Sequence, residues 1–116
     1  MNRQPRQHDE KHLAFIRQLP CIACGDNTST EAAHIRFADR SIAKRETGMA
    51  EKPDDRFTVP LCGKHHREQH EMGNELQWWR DDLEIDPVKV ALALYSVTGD
   101  HERGEQIVMA SRESTR

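Results

Sequence analysis

The sequence predicts an α+β domain in which a metal staples a two-stranded hairpin to a helix, with further helices packed around it. Three observations predict it. Metal-type residues recur in two spaced pairs, Cys21-x-x-Cys24 and Cys62-x-x-His65. Two segments of strand composition, 30–36 and 56–61, lie between those pairs, and apolar residues at helical spacing lie outside them. Hydrophobic residues make up only 35% of 116 residues and charged ones 32%, with a mean hydropathy of −0.89. A chain this short and polar cannot build a large apolar core and has reason to borrow stability from a metal ion.

The elements follow in order. Residues 1–7 are polar and are expected to fray. Residues 8–19 place Leu13 and Ile16, with Phe15 and Leu19, at helical spacing, and Pro20 ends that helix. The run Cys21-Ile-Ala-Cys24-Gly25 is a tight knuckle, and Ala32-Ala33-His34-Ile35 centres the first strand. A long irregular stretch from Phe37 to Asp55, rich in charge and holding Gly48 and Pro53, follows; loops of that length in small domains are usually functional or disordered. The second strand runs from Arg56 to Leu61, with Pro60 marking an edge position. Cys62-Gly63 then turns into a helix over Lys64–His70, interrupted at Met72-Gly73-Asn74. A helix over Glu75–Leu83 is expected to turn Leu76, Trp79 and Leu83 inward, leaving Trp78 open between partial burial and base stacking. Asp86-Pro87 starts an apolar helix over Val88–Val97, which Gly99 stops. Residues 103–116 read as a flexible tail, and the whole of 1–116 as a single domain.

No apolar run approaches the roughly 20 residues of a membrane span, and the basic N-terminus lacks the apolar stretch of a secretory signal. The expectation is a soluble cytoplasmic protein with no membrane partner. Three cysteines cannot pair off into disulfides, and in a cytoplasmic chain their short spacing favours metal. The formal net charge is −3, but it is unevenly spread: residues 34–67 carry eight basic against five acidic groups, and residues 68–116 five against eleven. A phosphate backbone responds to that local positive third rather than to the total.

Cys21, Cys24, Cys62 and His65 supply the four tetrahedral ligands of a structural zinc, with His66 beside His65 as an alternative fourth. On the helix, His66 and His70 stand four residues apart and so on one face, a spacing that holds a divalent ion between two imidazoles. The hairpin brings His34, at the end of the first strand, towards the same helix face.

Taken together, these residues resemble the HNH endonucleases of the ββα-metal (His-Me finger) superfamily, in their zinc-containing form. The resemblance rests on Cys21-x-x-Cys24, Ala33-His34-Ile35 and Val59-Pro60-Leu61-Cys62-Gly63-Lys64-His65-His66-x-x-x-His70, and so covers residues 21–70. The later Gly73, Trp79 and Asp86-Pro87 also look like small phage- and prophage-encoded nucleases of this group. The resemblance implies a ββα-metal finger with His34 as general base, His66 and His70 as ligands of a catalytic divalent ion (Mg²⁺, Mn²⁺, Ni²⁺ or Zn²⁺), and a structural Zn²⁺ on Cys21, Cys24, Cys62 and His65. It implies DNA as the partner, with room for a phage or host recombination or packaging protein beside it.

The chain departs from the family at two positions. Ala33 stands where the family has an extra histidine or aspartate ligand, which leaves two protein ligands for the catalytic ion or recruits a carboxylate from the loop. Phe57 stands where an asparagine orders the loop, and Asp54 or Asp55 could accept those hydrogen bonds instead; Asp55 joins the expected catalytic set. Arg36, Arg40, Lys44, Lys64 and Arg67 are expected to contact the nucleic-acid backbone. The leading reading is a metal-dependent DNA endonuclease or nickase. The alternative, kept open by Ala33, is a zinc-stabilised DNA-binding or adaptor module without catalysis.

Overall fold

Asp9 opens the first helix, α1 (Glu10–Ile16), because its carboxylate accepts the His12 amide and so caps an amide that the helix leaves unpaired. The computed structural model describes residues 9–37 and 54–113; the expected frayed start, residues 38–53 of the long connection (Gly48 and Pro53 included) and the last three residues lie outside the described residues. α1 is shorter than its sequence pattern. At Gln18 and Leu19 the chain tightens into bonds back to Phe15 and Ile16, and Pro20 then delivers it to the knuckle.

Two antiparallel strands, β1 (Thr30–His34) and β2 (Thr58–Cys62), form the sheet, with Thr30 opposite Cys62 and His34 opposite Thr58. Pro60 costs this ladder nothing. Its carbonyl faces away from β1 and accepts the Ile22 amide of the knuckle at 3.0 Å, so its missing N–H also lies on the outer side. The second helix, α2 (Gly63–Glu71), follows β2 directly. A short α3 (Glu75–Gln77) is capped by Asn74, whose side chain accepts the Gln77 amide.

α3 runs into a π-helical turn, Trp78–Leu83, that the sequence pattern did not foresee. Both tryptophans are buried against each other with ring centroids 4.8 Å apart; Trp79 and Leu83 turn inward as expected, while Leu76 is exposed and Trp78 takes a place in the core. Each indole has a partner that makes burial tolerable: Trp78 Nε1 donates to Glu68 and Trp79 Nε1 to Glu75, both at 3.0 Å. Base stacking by Trp78 is thereby ruled out in this conformation. Glu84 closes the turn in the left-handed region, at φ 57°. Asp86 caps α4 (Pro87–Tyr95) as its sequence predicts, accepting the Lys89 amide.

The expected tail at 103–116 is corrected by α5 (His101–Glu113), which packs on the core through Gly104 and Val108. Gly104 helps explain why: a Cβ there would lie 2.8 Å from Phe15 Cζ and 2.9 Å from Leu19 Cδ2, so any larger residue must push these core side chains aside. At its other end, Arg112 lies against Gly25 of the knuckle. Gly104→Val is therefore expected to cost about 1–3 kcal/mol by overpacking, a fall of several degrees in melting temperature; an unchanged melting curve would contradict the docking of α5.

α1, the sheet, the tryptophan turn, α4 and α5 bury one core, containing Ile16, Leu19, Ile35, Leu61, Leu94 and Val108 among others. His12 is also fully buried, with Nδ1 2.8 Å from Thr98 Oγ1, while Nε2 has no hydrogen-bond partner among the described residues. Burial pushes its pKa below the ordinary 6.5, against the opposing pull of Asp9 and Asp55. The folded state thus resists a proton that the unfolded chain accepts. Above pH 6.5 both states are neutral and the group is silent; below it, stability falls with pH until the folded-state pKa is reached. Melts of the wild type and His12→Gln between about pH 7.5 and 5.5 should show the wild type losing more stability on acidification. Parallel slopes would contradict this.

No helix among the described residues is long and apolar enough to cross a membrane.

Candidate functional site

The knuckle is built by its own backbone. Cys21 N–H donates to the Asp26 carbonyl, the Gly25 amide returns to the Cys21 carbonyl at 2.7 Å, and the Ala23 amide donates to Cys21 Sγ. Gly25 occupies φ +84°, a conformation that side chains disfavour, so the turn needs glycine there. The bond from Ile22 to Pro60 lays this turn beside β2, whose last residue is Cys62; α2 then supplies His65.

The result is a cluster of Cys21, Cys24, Cys62 and His65 whose ligand atoms all lie within 4.8 Å of one another. Cys62 Sγ is 3.2 Å and Cys21 Sγ 3.9 Å from His65 Nδ1, and the Cys24 and Cys62 sulfurs are 3.9 Å apart. Tetrahedral zinc with bonds of about 2.3 Å to sulfur and 2.0–2.1 Å to nitrogen requires edges of roughly 3.6–3.8 Å. The cluster is compatible with a zinc site, and the fourth ligand in it is His65 rather than His66.

The thiols differ. Burial pushes the Cys21 thiol up to about 11, countered only in part by neighbouring amides. Burial works to raise Cys62 too, but the His65 and Lys64 amides and the sulfurs of Cys24 and Cys21 outweigh it, and this thiol titrates below its ordinary value. Cys62 thus enters a metal site readily, while Cys21 needs the ion to lose its proton.

His66 and His70 do meet. Their Nε2 atoms are 3.2 Å apart and their ring centroids 4.9 Å apart. Two imidazoles sharing one ion at about 2.1 Å stand roughly 3.0–3.4 Å apart, so these two could hold one. Behind His66, Nδ1 donates to Glu31 Oε1 at 2.6 Å. Burial first, then the charges of His66 and Arg36, push His70 below the usual histidine range, with Glu75 pulling the other way. Arg36 therefore lies close enough to place positive charge beside the pair.

His34 belongs to a second pair. Its Nε2 is 2.9 Å from Oδ1 of Asp55, whose side chain is fully buried. Asp55 is held from several sides: its Oδ2 accepts the Asp9 amide at 2.7 Å, and its carbonyl accepts Thr58 Oγ1 at 2.7 Å. Gln69, one residue before His70, joins α2 to β1 and α3. This buried side chain donates from Nε2 to the His34 carbonyl at 3.0 Å and to Glu75 Oε2 at 2.8 Å. Glu75 Oε1 in turn accepts the Arg36 amide.

The expectation that His34 joins His66 and His70 in one cluster is corrected in part. Among the described residues, the cysteine and histidine cluster is the one group of three or more metal-type side chains drawn together within 4.8 Å. His34 is paired with Asp55 instead, and its carbonyl accepts Gln69, the residue before His70 on α2. Phe57 is buried in the core, with the Arg56 guanidinium 4.8 Å from its ring centroid; Asp55, two residues earlier, holds the histidine. Of the basic residues expected to face a nucleic acid, Lys64 and Arg67 are exposed on α2 and Arg36 is half-buried; Arg40 and Lys44 lie outside the described residues. Glu31, Gln69 and Glu75 were not foreseen. Glu31 alone carried a signal, since a residue two before Ala33 shares its strand face.

Fold and cluster define a small α+β domain with a site suited to zinc. The chain belongs to the DUF968 family, a protein family of unknown function, whose model matches residues 2–81 and so runs from the start of the chain into the tryptophan turn. It is also similar to the uncharacterized protein YdfU of Escherichia coli (strain K12), at 34% identity over 61 residues. That match covers 53% of this chain and 16% of YdfU, so the chain corresponds to a small part of that relative. No solved structure matches the chain.

Proposed function

We propose that this domain is a zinc-stapled, metal-dependent nuclease of HNH type that hydrolyses phosphodiester bonds in DNA. The observations that carry the reading are the pairing of a buried Asp55 with His34 and, on α2, two imidazoles whose Nε2 atoms converge to 3.2 Å. A buried carboxylate fixed by a backbone amide orients the imidazole that it touches. With His34 Nε2 donating to Asp55, Nδ1 is the basic atom of the ring and takes a proton from the attacking water. An imidazole is suited to this because its reference pKa of about 6.5 lies near working pH.

His66 and His70 would hold the divalent ion, which when bound would relieve the charge that develops on the phosphate and the leaving oxygen. Arg36, Lys64 and Arg67 hold the backbone through contacts that salt weakens. Cys21, Cys24, Cys62 and His65 hold Zn²⁺ away from the chemistry and keep β2, α2 and the knuckle in register, so that base and metal ligands keep their spacing. Gln69 serves the same end from the other side.

The test is incubation of the zinc-loaded protein with supercoiled and single-stranded DNA in Mg²⁺, Mn²⁺ or Ni²⁺. Cleavage with at least one of these metals, abolished by a chelator too weak to strip the cysteine site, is the expected result. DNA bound but uncut under every metal would favour the non-catalytic binding module instead.

A further inference from the structure

We propose that Glu31 is the positioning residue of the divalent-metal site at His66 and His70, acting from behind His66. The inference rests on the reading of those two histidines as metal ligands.

Side chains two apart on a strand project from the same face, so Glu31 and Ala33 share one face of β1. Ala33 is fully buried and its methyl carries no donor atom. Glu31 reaches α2 from further along the strand, placing Oε1 2.6 Å from His66 Nδ1 across 35 residues of sequence. An ionised carboxylate can only accept, so the proton of that bond sits on Nδ1. Nε2 of His66 then carries the lone pair, and Nε2 is the atom that faces His70. Glu31 thereby fixes both the ring's orientation and the tautomer that can bind a metal, and its charge makes the imidazole a stronger donor. Carboxylates placed behind metal-binding histidines act in this way, and losing them typically weakens metal affinity 10–100-fold. A surface ion pair of ordinary kind would have no such consequence: the Glu31 side chain is 54% exposed, and exposed pairs contribute little to stability.

The experiment is a Mn²⁺ titration of the full zinc-loaded chain, followed by electron paramagnetic resonance of free Mn²⁺, with zinc content and melting temperature read on the same samples. The wild type should bind one Mn²⁺ beyond its zinc, and His66→Ala should not. Glu31→Ala should weaken Mn²⁺ binding about 10–100-fold, with zinc content and melting unchanged. Glu31→Gln keeps an acceptor oxygen but not the charge, and should fall between; it also carries the comparison should Glu31→Ala disturb folding. Wild-type affinity in both Glu31 variants would overturn the role of Glu31 while leaving the metal site standing. A wild type that takes up no Mn²⁺ would overturn the metal site and the role of Glu31 with it.

Discussion

Cys24→Ser and Cys62→Ser are expected to lose zinc and cooperative folding together. The two residues sit at opposite ends of the stapled unit, one in the knuckle and one at the junction of β2 and α2, with their sulfurs 3.9 Å apart. Among the described residues these segments also meet through the bond from Ile22 to Pro60, the strand ladder and the shared core of Ile22, Val59 and Leu61. The binding free energy of structural zinc, about 10–16 kcal/mol in small finger peptides, is comparable to the whole stability of a typical domain. Serine keeps the shape but replaces a soft thiolate with a hydroxyl that does not ionise at neutral pH, so the four-ligand set is broken. Without the ion, the buried Cys21 thiol also returns to its protonated form, since its pKa is pushed up to about 11. Metal analysis paired with thermal melting checks this. A variant that has lost zinc yet melts at the wild-type temperature would remove the structural role of the cluster.

His34→Ala is expected to reduce DNA cleavage by about 10²–10⁴-fold, the range contributed by a positioned general base, while zinc and fold persist. The ring is only 15% exposed and spends its Nε2 on Asp55, so its loss frees a buried carboxylate. That carboxylate keeps the Asp9 amide, and the His34 carbonyl, being backbone, keeps Gln69. Structure should therefore survive the substitution better than chemistry does. Asp55→Asn retains the shape and an acceptor but not the charge that steadies an imidazolium, and should also slow cleavage. Cleavage rates measured beside zinc content separate the two effects; a His34→Ala protein that cuts at the wild-type rate would exclude His34 as the base.

What could be read from the sequence was local in the chain. The four zinc-type ligands fall in two short spaced pairs, and His66 and His70 one helical turn apart, so spacing alone placed them. Capping residues behaved likewise: Asp86-Pro87 opens α4 through a bond to the Lys89 amide. The contacts that were missed join residues far apart. Glu31 and His66 are separated by 35 positions, as are Gln69 and the His34 carbonyl, and no periodicity links such pairs. α5 was hidden for a different reason: its inward residues, Gly104, Ile107 and Val108, are few and set among charged ones, so it resembles a solvated tail by composition although its spacing is helical. The tryptophan turn was misread because an ordinary α-helix was assumed; a π-helical turn presents adjacent residues differently, and Trp78 and Trp79 both enter the core. Asp55 was reached only by noting that Phe57 could not serve.

The sharpest trial of the nuclease reading is single-turnover relaxation of supercoiled DNA by wild-type and His34→Ala proteins of equal zinc content in the same Mn²⁺ buffer. The wild type should relax the DNA, and the variant should do so at a rate at least about a hundredfold lower. Equal rates in the two proteins, or intact DNA with both, would overturn that reading.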